Sequence, residues 1–379
     1  MKILFYLEPL IELGKPFWKS DWITDFTRNL IDTMNRFSEP PENIGVVLKD
    51  SIVQRCPLPG VRIFVPTQNE LLNQRRYHYL DLTVNWHRGT FSSETHDYYV
   101  RLFQNRLEGF TPDVIITYTP VPFLRTLFPN ALILHTEVAM FTRLPYPWTR
   151  FFDPLGMGIG RYPSAFWPQL SQSLHLGEKE RALLEKFINH CREIILAKSP
   201  FRSLCKNYRD RFQRLVLLPL QVSGNYLFDA YVPYRSQYEY LIDVLEQVPN
   251  DVGVLVTTHP DFPALSEEVV EFCRSKYPHF LYDYGFLDYY ASSQYLIAEV
   301  DAVINVSSST GLSVLLWDKK LLSLGGDFFP IIADGKSLAE LPDVLSAPLR
   351  DKSAILYWML THYVIPEWKL RNPPWLESF

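Results

Sequence analysis

Short, predominantly apolar runs recur along this chain, and several of them end in a polar cluster. The first set is Ile3 to Tyr6, Ile44 to Leu48, Val61 to Val65, Val114 to Tyr118 and Ala131 to His135. The second is Leu215 to Leu218, Val252 to Val256, Phe280 to Tyr282, Ala302 to Val306 and Leu321 to Leu324. Runs of this length without alternation suit strands buried on both faces, and helical patterns such as Leu176 to Cys191 and Leu265 to Tyr277 stand between them. The alternation predicts an α/β fold with parallel sheets. A chain of 379 residues, 47% of them hydrophobic, can bury two such cores. The expected division is a first domain over 1–180, a second over 190–345, and C-terminal helices over 346–379. A new strand from Glu193 to Ala197 is expected to open the second domain.

Parallel sheets bind ligands beyond the carboxyl ends of their strands, so the residues after each run are the candidates. In the first half, Thr136 and Glu137 follow the strand that ends at His135, and Glu137 is the first catalytic candidate; its plainer role is to cap the next turn. His135 reads as a core histidine. Thr142 to Pro168 carries Pro145, Pro147, Pro154, Gly156, Gly158, Gly160 and Pro163, which predicts a long irregular active-site loop. Its GxGxG spacing is a weak phosphate signal, because no strand closely precedes it and no lysine follows in Walker spacing.

Three strand ends in the second half are richer. They read Pro219-Leu220-Gln221-Val222-Ser223-Gly224-Asn225, then Thr257-Thr258-His259-Pro260, then Ser307-Ser308-Ser309-Thr310-Gly311 at the start of a helix over Leu312 to Trp317. All three are expected to line one crevice. Hydroxyls and free backbone N–H groups at a helix start suit a phosphate, although one serine suffices for plain capping. His259 can donate to a phosphate oxygen and so stabilise a leaving nucleotide without a metal. Lys198, in Lys198-Ser199-Pro200, is a candidate for an anionic group and otherwise a solvated lysine.

Charge and cysteine content narrow the function classes. A net charge of -5 gives no field for nucleic acid, so an anionic ligand must be held by a few local donors. Cys56, Cys191, Cys205 and Cys273 lack metal spacing and read as buried thiols in a reducing compartment. The start is too brief for a signal peptide, and no run approaches the roughly 18 apolar residues of a membrane span. The expected location is cytoplasmic, with peripheral association at the inner face of the inner membrane as the further option. Aromatic residues are 15% of the chain and supply core volume first, sugar-stacking faces second.

Taken in order, Pro219-Leu220-Gln221-Val222, His259-Pro260 and Ser307-Ser308 resemble the bacterial retaining β-Kdo transferases of capsule and O-antigen (lipopolysaccharide) synthesis. Leu134-His135-Thr136-Glu137 is the best anchor of that resemblance in the first half. The resemblance implies a GT-B glycosyltransferase, with two Rossmann-like domains facing a central cleft and the C-terminal helices packing back on the first domain. It implies CMP-β-Kdo as donor and an oligosaccharide or lipid-linked glycan as acceptor, with no cofactor, metal or nucleic acid. Gln221, Lys198, His259, Pro260, Ser307, Ser308, Ser309 and Thr310 would then hold the CMP-sugar, and Glu137 would act as acceptor base or acid. The chain could also be one module of a longer synthase.

Retention by double displacement needs a carboxylate nucleophile. The acidic position of the resemblance falls on Asn225, a neutral amide. Three explanations stand: an engineered Asp→Asn variant made to trap a donor complex or adduct, a natural enzyme that uses another carboxylate such as Asp229, or a catalytically silent chain. The first is favoured. Rival functions are an inverting sialyltransferase-like CMP-sugar transferase and a non-catalytic CMP-sugar or glycan-binding module.

Overall fold

The computed structural model describes residues 1–7, 28–29, 31–32, 41–48, 53, 58–73, 76–139, 149–157, 161–222, 226–259, 263–325 and 329–366. They form two compact units, one of residues 1–138, 149–157 and 365–379, the other of residues 139–148 and 158–364. Each unit is built on its own sheet.

The first unit contains β1 (Ile3–Tyr6), β2 (Ile44–Val47), β3 (Arg62–Phe64), β4 (Val114–Thr117), β5 (Leu132–Val138) and β6 (Thr149–Asp153). With β12 (Val364–Pro366) they make one sheet in the order β12-β6-β5-β4-β1-β2-β3. From β3 to β5 all pairings are parallel; β6 then runs antiparallel to β5. The apolar runs are strands because they are covered: β1 and β2 are buried at every residue. An aromatic cluster fills one face, with Tyr6, Trp86, Tyr99, Phe103 and Phe123 buried together and the Phe103 and Phe123 rings stacked at 5.1 Å. These five aromatic residues are thus core volume.

The second unit contains β7 (Arg214–Pro219), β8 (Val252–Thr257), β9 (Phe280–Leu281), β10 (Ala302–Asn305) and β11 (Lys320–Ser323), in the order β11-β10-β7-β8-β9 and parallel throughout. Leu215 to Leu218 and Val254 to Val256 are fully buried, each side chain contributing about 1.5–3 kcal/mol. Counted within each unit, both sheets have the order 3-2-1-4-5 of a Rossmann-like domain. Two Rossmann-like units in one chain are the make-up of the GT-B fold class.

Three expectations are corrected. Glu193 to Ala197 is not a strand but the end of a helix over Glu178–Lys198, whose buried residues Leu184, Cys191 and Ile195 fall on one helical stripe. The expected boundary near residue 180–190 therefore lies inside an unbroken helix, and the contact boundary falls at 157/158.

The supposed loop over 142–168 holds β6 and the start of a helix over Arg161–Ser173. Prolines conceal that helix from a sequence reading, yet Pro163 sits in its first turn, where no N–H is required, and Pro168 lies inside it.

Among the described residues of the C-terminal stretch, Ser353–Trp358 and Met359–Tyr363 are helical, and these turns group with the second unit. The segment that returns to the first sheet is β12, which pairs at its edge beside β6. Trp368 and Trp375 lie outside the described residues.

Candidate active site

β10, β7 and β8 are neighbours in the second sheet, with Val303 opposite Leu217 and Pro219 opposite Thr257. Carried two residues further, the first register sets Asn305 opposite Pro219. The three strands therefore end at one level, about 4.8 Å apart, and their polar clusters leave side by side. This is also where the chain, having wound outward through β8 and β9, crosses β7 to begin β10, the switch point at which open α/β sheets bind ligands.

The loop after β7 is tied down early. Leu220 N–H donates to the Thr257 carbonyl at 2.8 Å, and Gln221 N–H donates to Oε1 of the buried Gln237 at 2.8 Å. The Gln221 side chain is half-buried. Beyond β8, Thr258 is buried and His259 half-buried, while Thr257 Oγ1 shares a 2.8 Å hydrogen bond with Ser293 Oγ.

After β10 the backbone is clamped by Asn305. Its Nδ2 donates to the Ser308 carbonyl at 2.9 Å, and its Oδ1 accepts from Ser308 N–H at 3.2 Å. A tight turn over Ser309–Ser313 follows, then a short helix over Val314–Trp317. Gly311 makes the clamp possible, because a Cβ there would stand 2.4 Å from Asn305 Nδ2.

Ser308 is the cap: its Oγ accepts from Thr310 N–H at 3.3 Å and donates to Thr310 Oγ1 at 3.2 Å. Ser307 and Ser309 are half-buried, and among the described residues their hydroxyls have no protein partner. The serine run thus divides into one capping hydroxyl and two that can turn to a ligand.

The segments that carry Gln221, His259 and Ser307 to Thr310 therefore leave neighbouring strands at one level. Asn225 and Pro260 lie outside the described residues. Lys198 is the exposed last residue of its helix. Three residues on, Phe201 packs its ring on Phe286 and Tyr289 at 5.1 and 5.2 Å, in the segment beyond the carboxyl end of β9.

Glu137 belongs to the first unit and lies within β5 rather than after it. The parallel ladder with β4 stops at His135, but β6 prolongs the strand by pairing Glu137 with Phe151. Glu137 is half-buried and its Oε1 accepts from Val138 N–H at 3.0 Å. His135 is a core residue, with Nδ1 3.1 Å from the Asp153 carbonyl.

The thiols are not candidates for nucleophiles. Burial pushes Cys191 and Cys273 up to about 11 and Cys205 to about 12. Cys56 lies outside the described residues. Sequence reasoning missed Asn305, Gln237 and Gly311; the available signal was a polar residue closing an otherwise apolar strand, Ala302-Val303-Ile304-Asn305.

Residues 183–344 match the family model described as capsule polysaccharide biosynthesis protein. That span, somewhat under half of the chain, includes β7 to β11 and all three clusters, and over it the chain carries this family's sequence pattern. No curated protein matches. Among solved structures, the chain is similar to the β-Kdo 2,7 transferase KpsC of Thermosulfurimonas dismutans, at 12% identity over 100% of both chains and a TM-score of 0.42. It is similar to the apo form of the lipopolysaccharide outer core galactosyltransferase WaaB, at 12% identity over 100% of both chains and a TM-score of 0.40. It is also similar to the wall teichoic acid polymerase TagF, at 13% identity over 86% of this chain and 70% of that one, with a TM-score of 0.24.

Proposed function

We propose that the chain is a transferase of capsule-type glycan synthesis that takes a CMP-activated ulosonic acid, CMP-β-Kdo, as donor, with a bacterial surface glycan as acceptor. The observation that carries this reading is the common level at which the clusters of Gln221, His259 and Ser307 to Thr310 leave three neighbouring strands. A phosphate placed there meets an imidazole on one side and two uncommitted hydroxyls on the other. Together they offset the charge that develops as CMP departs, so neither a divalent metal nor a cofactor is required.

The chemistry at the sugar divides between two positions. In a retaining double displacement, a carboxylate attacks the anomeric carbon as the bond to CMP breaks. The acceptor oxygen then displaces that carboxylate while a base takes its proton. Glu137 is the base in this reading. Position 225 is the place of the nucleophile, and its amide leaves the chain able to bind donor but poorly able to form the covalent intermediate. Asp229, in the helix over Tyr226–Tyr231, stands four residues further along the chain.

The test is to supply CMP-β-Kdo to the chain and to Asn225→Asp, measuring CMP release and the anomeric configuration of the product by NMR. The expected result is turnover raised roughly a thousandfold or more in Asn225→Asp, on the order of the loss when a nucleophile is removed, with a β-linked product. No gain would remove position 225 from the mechanism, and an inverted product would favour the sialyltransferase-like reading.

A further inference from the structure

A second cluster in the same unit belongs to none of these roles. Arg161 opens the helix over Arg161–Ser173, and its Nη2 donates to the hydroxyl of Tyr231, at the end of the helix that succeeds the β7 loop. The guanidinium also lies 5.6 Å from the centre of the Tyr231 ring. Arg161 Nε is buried without a hydrogen-bond partner, and so is Ser164 Oγ, three residues on and on the same face of the first turn. Among the described residues no carboxylate pairs with Arg161.

The surroundings sharpen the imbalance. The first turn of this helix contains no acidic residue, so the partial positive charge of its N-terminus adds to the cation rather than being offset. A half-buried guanidinium beside like-signed backbone charge, with its Nε shut away from water, has only the neutral Tyr231 hydroxyl as acceptor among the described residues.

We propose that Arg161, Ser164 and Tyr231 form an oxyanion subsite. It takes the carboxylate of an acidic sugar or a phosphate of the nucleotide or glycan, held by the guanidinium and oriented by the two hydroxyls. The subsite rests on the functional reading above for its place in donor or acceptor binding, but its anion chemistry stands on these residues alone. In the sequence Arg161 comes directly after the glycine-rich stretch Gly156 to Gly160.

Titration calorimetry of the full chain with inorganic phosphate, CMP and free Kdo tests this, comparing wild type with Arg161→Gln, Arg161→Lys and Ser164→Ala. At least one ligand is expected to bind wild type and to lose tenfold or more in affinity with Arg161→Gln, with Arg161→Lys intermediate. Loss with Kdo alone assigns a carboxylate; loss with phosphate or CMP assigns a phosphate. Affinities within twofold of wild type in a folded Arg161→Gln protein overturn the proposal, as does a wild type that binds none of the three. If Arg161→Gln does not fold, Ser164→Ala and Tyr231→Phe decide, each expected to weaken the same ligand about threefold or more. CMP affinity that is indifferent to His259→Ala would instead refute the donor-site reading and leave the Arg161 result standing.

Discussion

The two units share a strand order and differ in how the chain continues beyond the carboxyl ends of their strands. In the first, the parallel ladder passes into an antiparallel partner, so the end of β5 is drawn on into further pairing and its carboxylate stands inside a strand. In the second, β10, β7 and β8 stop together and release three polar segments at one level. The sheet supplies a position, and the chemistry depends on whether the next residues go into pairing or into a loop. A single carboxylate on a stiff strand suits proton transfer, whereas hydroxyls and an imidazole on clamped turns suit a phosphate.

That contrast predicts separable defects. Glu137→Gln, in the first unit, is expected to lower sugar transfer by about a hundredfold, within the usual range for a general base, measured in the Asn225→Asp background with CMP affinity unchanged. A parallel fall in CMP affinity would break the division of roles. His259→Ala, in the second, is expected to weaken CMP binding roughly tenfold, the worth of one charge-assisted hydrogen bond, as read by calorimetry. Unchanged affinity there would return His259 to the core histidines.

Gly311→Ala addresses the clamp itself. Its methyl group would meet Asn305 at 2.4 Å, so the turn must move, with an expected loss of about 1–3 kcal/mol in stability. Denaturant unfolding measures this, and a variant as stable as wild type would show that the turn after β10 is not held by Asn305.

The same physics explains how much of the fold is legible in the sequence. Strands buried on both faces can be read because their apolar runs are uninterrupted, and nine of the ten expected runs differ from the observed strands by no more than two residues in total. The tenth, β5, runs on to Val138 because β6 pairs with it, and a strand lengthened by a distant partner leaves no local mark. Ile194-Ile195-Leu196-Ala197 reads as a strand in isolation, but the helix that precedes it continues through, on the stripe of Leu184 and Cys191.

In the sequence, capping and ligand binding compete for the whole serine run. The structure gives the Ser308 hydroxyl to Thr310 and leaves Ser307 and Ser309 uncommitted. Arg161 draws no notice in the sequence, because the proline and glycine around it conceal a helix start.

Hydrogen exchange of the full chain with and without CMP bears most directly on the placement of the donor site. The account predicts slower exchange on CMP binding in peptides covering 219–222, 257–259 and 306–311 together, with no comparable change in β1 to β5. Protection confined to the first unit, or reaching one of the three segments without the other two, would contradict a nucleotide site built from the ends of β10, β7 and β8.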